Sequence, residues 1–148
     1  LAGYANEVGE AFRHLVPSRV VVASYAVSIG YVLGDAADKS RLAAATAEER
    51  GLSPRTEAVC TAVDVVAWQS VASVIVPGFT INRIVATARA ALLRAGRAPG
   101  IAPTVVGLAA VPLIVKPIDE ATDAAFDGFV RPFIARQKAV MAPSSGSA

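Results

Sequence analysis

Apolar residues along this chain gather into three apolar runs separated by mixed, charged stretches. The first, V-V-V-A-S-Y-A-V-S-I-G-Y-V-L-G, has no charge between Arg19 and Asp35. As a helix it reaches about 24 Å, short of a hydrocarbon core of roughly 30 Å, but Arg19 can snorkel and Tyr25 and Tyr31 can hold polar edges. Its Ala23, Ser24, Ser28, Gly30 and Gly34 are small residues of the kind that bring helix backbones together in lipid. The second run, Ala58 to Val76, is long enough to cross and contains a single acid, Asp64, followed by Trp68 and Gln69. An ionisable group at that depth is expected to face protein rather than lipid. The third, Gly100 to Val115, is uncharged but interrupted by Pro103 and Pro112, which predicts a kinked helix leaving at Lys116-Pro117. The pattern thus predicts an all-α integral membrane protein with about three transmembrane helices over residues 19–35, 58–76 and 101–116.

Between and around the runs the periodicity is helical and amphipathic. In residues 1–17, Tyr4, Val8, Ala11, Phe12 and Leu15 share one face, with Glu7, Glu10, Arg13 and His14 on the other, so a helix lying flat on a membrane or partner is predicted, ended by Pro17. Residues 35–57 read as an aqueous connection with a helical piece near Ala43 to Arg50. The string V-I-V-P-G-F-T-I-N-R, Val74 to Arg83, reads as a span stopped by Pro77-Gly78, with Thr80 capping a new helix. That helix, residues 80–95, gathers Arg83, Arg89 and Arg94, with Arg97 just beyond, and has no acid among them. It suits anionic headgroups at the interface; crossing in its own right is the alternative. From Ile118 an amphipathic helix sets Asp119, Glu120, Asp123 and Asp127 against an apolar face. Residues 128–148 read as the end of that helix and a disordered A-P-S-S-G-S-A tail.

Composition strengthens the membrane reading. Hydrophobic residues make up 54% and charged residues 18% of 148, against about a quarter charged in soluble domains, and the mean hydropathy is +0.51. The net charge of +2 comes from scattered basic residues, which argues against nucleic acid. The fourteen Lys and Arg residues fall almost evenly on the two sides of a three-span arrangement, so they set no orientation. No signal peptide is legible in these residues.

Candidate chemistry is sparse. One cysteine, Cys60, lies in an apolar run and reads as a small buried thiol, and one histidine, His14, lacks companions at metal-ligand spacing. No phosphate loop or nucleophile elbow is present. The acids from Asp119 to Asp127 lack the ligand order of a calcium hand and read as a solvated face. No cofactor, metal or catalytic residue is predicted. Asp64 is the strongest ionisable candidate, either as a relay or ion-binding group or as a structural acid paired with an Arg or Lys of a neighbouring helix.

Four strings carry a resemblance. G-Y-A-N-E-V-G-E-A-F-R (Gly3 to Arg13), G-D-A-A-D-K (Gly34 to Lys39), V-D-V-V-A-W-Q-S-V-A-S-V-I-V-P-G-F-T-I-N-R (Val63 to Arg83) and P-L-I-V-K-P-I-D (Pro112 to Asp119) resemble the mitochondrial fission process protein family, in order from about Gly3 to Asp127. Departures lie near Ala43 to Arg50, Gly96 to Pro103 and the tail. The resemblance implies a nucleus-encoded, multi-pass protein of the mitochondrial inner membrane, needed for mitochondrial division and membrane integrity, with no catalytic residue to carry over. It points to Asn6, Glu7, Asp35, Asp64, Trp68, Pro77, Gly78, Asn82, Arg83, Pro117 and Asp119 as residues that set helix ends, pair charges and grip partners or cardiolipin. Arg83, Arg89, Arg94 and Arg97 are the expected headgroup contacts. The expected function is non-enzymatic membrane organisation. The alternatives are an accessory subunit of a respiratory or ATP synthase complex, and a carrier or channel built on Asp64.

Overall fold

The computed structural model of the protein describes residues 2–141; the predicted tail, residues 142–148, lies outside them. The described residues are all helical apart from short connections and contain no strand. After a 3-10 turn at Ala2–Tyr4 come α1 (Ala5–Phe12), α2 (Ser18–Glu49), α3 (Pro54–Gln69), α4 (Val76–Arg94), α5 (Ala102–Ala125) and α6 (Arg131–Met141). Two π-helical segments, Ser70–Ile75 and Phe126–Val130, join α3 to α4 and α5 to α6 without a break. Three helical stretches, Ser18–Glu49, Pro54–Arg94 and Ala102–Met141, are long and apolar enough to cross a membrane, as expected from the three runs. The 41 residues of Pro54–Arg94 reach about 60 Å, so much of that stretch must project beyond a hydrocarbon core of roughly 30 Å.

The helices are longer than the apolar runs within them, which corrects three expectations. Residues 35–49 are not a loop but the second half of α2. Their Ala, Glu, Lys, Leu and Arg are helix formers, and the pairs Asp35–Lys39 (2.7 Å) and Asp38–Arg41 (3.6 Å) sit at helical spacing. Charge ends an apolar run without ending a helix. Termination waits for Gly51, whose φ of +67° lets Leu52 N–H reach Ala47 O (2.9 Å) and Gly51 N–H reach Glu48 O (3.1 Å), the double bond of a glycine-capped C-terminus. Gly96, with φ +68°, closes α4 the same way through Leu92 O and Leu93 O. Ser53 then caps α3, its Oγ accepting from Thr56 N–H (3.4 Å) ahead of Pro54.

Pro77-Gly78 does not stop a helix either. The π segment immediately before it shifts the bonding, Val76 N–H reaching back to Val71 O, and a widened turn is where the missing donor and bulky ring of a proline are best tolerated. Thr80 is therefore no cap: its Oγ1–H donates to Val76 O (2.7 Å) inside α4. Residues 80–94 continue the helix that carries the second apolar run. Likewise the helix runs on past Lys116-Pro117, with Pro112 and Pro117 both inside α5.

Large apolar side chains face outward on every long helix, with Val22 68%, Phe79 66% and Leu113 74% exposed, the arrangement of a bundle solvated by lipid. The interior is correspondingly small and closely approached. Ala11, Ile81 and Val85 form the buried cluster, with Ile84, Val111 and Ile114 packed against it. A Cβ on Gly107 would fall 2.6 Å from Val85 Cγ2 and 3.3 Å from Ala11 Cβ, so α5 meets α4 and α1 at a distance only glycine allows.

Candidate functional site

The polar residues of this protein are concentrated where α1 docks, and they point inward. Periodicity places Glu7 and Glu10 on an outer face. In the structure Asn6, Glu7 and Glu10 are instead buried against α2 and α4, while Tyr4, Val8 and Leu15 are exposed. The helix is amphipathic as expected, but it turns Glu7 and Glu10 inward beside Ala11 and leaves Tyr4, Val8 and Leu15 outside: where apolar surface meets lipid at no cost, hydrogen-bonding groups do better inside, paired with one another. The chain geometry that achieves this is the turn at Pro17, which folds α1 back along α2.

Both ends of α1 are capped by other helices. Eight residues leave most of their backbone groups without an intrahelical partner. Asn6 N–H donates to Ser28 Oγ (3.0 Å), Ser28 Oγ–H donates to Asn6 Oδ1 (2.8 Å), and Asn6 Nδ2 donates to Val74 O (3.1 Å) in the π segment. At the other end Thr104 Oγ1–H donates to Ala11 O (2.9 Å), and the His14 ring Nε2 bonds Gly100 O at 3.0 Å. Glycines make these approaches possible. A Cβ on Gly9 would overlap Ser24 Oγ, and one on Gly78 would lie 2.5 Å from Tyr25 Oη and 3.2 Å from Asn6 Nδ2. Pro77-Gly78, which does not break the helix, thus forms a seat for α1.

Glu10 is the electrostatic centre. It accepts from Arg13 Nε (2.5 Å) and Nη2 (2.6 Å), Tyr25 Oη (2.8 Å) and Asn82 Nδ2 (2.9 Å). Burial pushes its carboxyl upward, but the bonds from Arg13, Asn82 and Tyr25 outweigh it and hold the group below its usual range. Glu7 is the opposite case. Burial dominates and pushes its carboxyl up to about 7, and its Oε2 is buried without a partner.

A cavity of ≈ 260 Å³ opens beside Glu7, lined also by Tyr31, Asp35, Lys39, Trp68 and Asp119. Four residues singled out in the sequence, Glu7, Asp35, Trp68 and Asp119, therefore meet on one surface. Asp35 is engaged by Lys39 and by Gln69 Nε2. A second recess of ≈ 370 Å³ between α1 and α4 is lined by Arg13, His14, Asn82, Arg83 and Arg89. There Arg83 donates to Asn82 Oδ1 (2.8 and 3.2 Å) and lies 5.8 Å from the Phe79 ring. Arg89, Arg94 and Arg97 are exposed.

Asp64 lies apart from both. Its Oδ1 is 3.6 Å from Arg131 Nε, in a group where Arg131 also meets Asp127 (2.5 Å) and Asp123 (3.3 Å), and Trp68 Nε1–H donates to Asp123 (3.0 Å). Pro117 is exposed on α5 and joins none of these groups. Glu10, Arg13, Tyr25, Lys39 and Arg131 were not singled out as site residues. The Glu10–Arg13, Asp35–Lys39 and Asp127–Arg131 spacings could have flagged local pairs, whereas nothing local marks Tyr25. Among the described residues no group of His, Cys, Asp or Glu is gathered closely enough to hold a metal ion, and Cys60 is a buried free thiol.

Comparison with known proteins bears on what this bundle is. The family model described as "Mitochondrial 18 KDa protein (MTP18)" matches residues 1–61 and 38–126. "Mitochondrial fission process protein 1" of Danio rerio is 48% identical over 134 residues, covering 87% of this chain and 80% of the relative. The protein of that name from Homo sapiens is 46% identical over 134 residues with the same coverage, and the one from Caenorhabditis elegans 41% over 133. No solved structure matches. Identity of that degree over most of both chains, together with the matched family model, means that the chain belongs to the family of mitochondrial fission process proteins.

Proposed function

We propose that this protein acts in mitochondrial fission as a non-enzymatic, multi-pass protein of the inner membrane that organises the bilayer it crosses. The observation that carries the reading is the 41–48% identity to relatives named for the fission process. The geometry supports it in kind. Asn6 and Glu10 of α1 are spent on bonds to neighbouring helices and Thr104 on the end of α1, holding four helices together, and large apolar side chains face outward. Arg83, Arg89, Arg94 and Arg97 form an exposed basic face at one end of the bundle, suited to cardiolipin and other anionic headgroups. Asp64 sits beside Arg131 at 3.6 Å in a group with Asp123 and Asp127, a structural pairing that weighs against a carrier that moves charge through it.

A second reading, a fixed accessory subunit of a large respiratory or ATP synthase assembly, is favoured by α6 and the π segment before it. Phe129, Phe133 and Val140 are 81%, 59% and 80% exposed at the end of the molecule rich in charged residues, where lipid does not account for them. The test is re-expression in cells lacking the endogenous relative. Restored division of the inner membrane, with the protein migrating free of respiratory complexes in native gels, supports the first reading. Comigration with such a complex supports the second. Carbonate-resistant insertion without any effect on division overturns the fission role.

A further inference from the structure

The cavity between α1, α2, the α3–α4 junction and α5 holds polar groups that the helix-to-helix bonds leave unused. At its floor is Glu7, 1% exposed, with Oε2 shut off from solvent and bonded to nothing. A buried carboxyl oxygen without a donor is costly and calls for a physical cause. Asp119, half-buried on the same cavity, has no hydrogen-bond or ion-pair partner among the described residues. Tyr31 and Trp68 supply aromatic surface, and Trp68 is held in place by its bond to Asp123.

Size, sign and donor count narrow the occupant. A volume of ≈ 260 Å³ lies below the roughly 300–1,000 Å³ of sites for drug-sized ligands, which leaves a small group or a headgroup. The lining carries Glu7, Asp35 and Asp119 against one cation, Lys39, whose half-exposed ammonium spends one of its three donors on Asp35. An ionised carboxylate only accepts, and burial holds Glu7 partly protonated near neutral pH while nothing faces it. The occupant that satisfies all three groups in their charged form is therefore a cation that donates. A divalent metal needs several oxygens converging on one point, and the described residues offer no such group. An ammonium fits: it is compact, carries three donors, and is attracted to aromatic faces.

We infer that this cavity binds the ammonium of an amine headgroup, with Glu7 and Asp119 accepting its hydrogens, Tyr31 and Trp68 walling it, and Lys39 at the rim meeting the adjoining phosphate. Asp35 is the first charge after the uncharged run of residues 20–34, so the cavity opens at the depth where a bilayer changes from chains to headgroups. The occupant is thus an aminophospholipid of the phosphatidylethanolamine class.

Native mass spectrometry of the full chain, released from micelles holding equal phosphatidylethanolamine, phosphatidylcholine and phosphatidylglycerol, tests this. Retention of the ethanolamine lipid is expected to exceed that of the glycerol lipid about tenfold, the worth of one charge-assisted hydrogen bond. Glu7→Gln and the half-exposed Asp119→Asn each abolish that preference, and Arg41→Ala, on the outer face of α2, leaves it intact. Displacement by millimolar O-phosphoethanolamine would show that the soluble amine shares the site, and its failure to compete would assign the site to the lipid; both support the ammonium. Equal retention of all three lipids by the unmodified chain, or an unchanged preference in both variants, overturns it.

Discussion

The two ends of this bundle are held together by different physics. At the α1 end, neutral and charged hydrogen bonds are buried, helices touch through Gly9, Gly78 and Gly107, and the Ala11–Ile81–Val85 cluster fills the middle. At the α6 end, contact rests on ion pairs with exposed partners: Arg131 to Asp64, Asp123 and Asp127, and Lys138 to Glu57 at 2.6 Å. Arg131 and Lys138 are 39% and 43% exposed at the side chain. Pairs in contact with water contribute about 0–1 kcal/mol each, whereas a buried donor left unmatched costs about 1–3 kcal/mol. The difference teaches that α1, the shortest α-helix, is the most firmly specified and α6 the least.

The comparison breaks most sharply at Gly107. Gly107→Leu forces a side chain into space held by Val85 and Ala11, and overpacking of this kind costs about 3 kcal/mol or more. Thermal unfolding of the purified chain should shift strongly downward, and the amides of α1 should lose their protection from hydrogen exchange as the helix leaves its seat. A variant as stable as the parent, with α1 still protected, would show that the close contact is not what holds the helix.

Glu7 gives the next effect, and its sign is definite. Its carboxyl is raised by burial from 4.5 to about 7 in the docked helix, so docking favours the protonated form. That contribution is complete below about pH 4.5 and is lost as the pH rises to 7, on the order of 1–2 kcal/mol once solvent screening is allowed for. In detergent free of amine lipids, stability should therefore fall between about pH 4.5 and 7 and level off above. Glu7→Gln should remove this slope and leave the chain more stable than the parent at about pH 8. A parallel slope in the variant would assign the dependence elsewhere.

At the other end the expected effects are small. Arg131→Gln should cost about 1 kcal/mol or less and Lys138→Ala a few tenths, both fading in high salt. Hydrogen exchange should show α6 opening more readily than α1 in every case. Losses as large as those at Gly107 would erase the distinction between the two ends.

The helical class and the three long apolar helices were legible because apolar runs of about fifteen to nineteen residues are too long for a strand and too free of charge for a helix facing water. The family was legible in the block from Trp68 to Arg83. Three things were not. Residues 35–57 read as a connection with helix only near Ala43 to Arg50 when polarity is treated as punctuation, although no Gly or Pro interrupts the chain from Asp35 to Gly51 and the helix runs unbroken to Glu49. Pro77-Gly78 reads as a stop because a π segment leaves no mark in composition. The burial of Glu7 and Glu10 was hidden because periodicity reports only that two faces exist; which residues turn inward depends on whether water or lipid lies outside. Glu7, Asp35 and Asp119 stand out separately, but their meeting on one cavity depends on three helices aligning in register, which no local pattern encodes.

The π segment at Ser70–Ile75 carries one more implication. Such a segment takes in one residue beyond α-helical count, and one residue corresponds to about 100° of rotation. The stripe of α3 that holds Asp64 is thereby not continued by the stripe of α4 that holds Asn82, and the long Pro54–Arg94 rod presents different sides to its neighbours above and below the junction. Removing a single residue there would twist one half against the other like a misaligned camshaft, setting the seat of α1 and the partner of Arg131 in competition for the same rod.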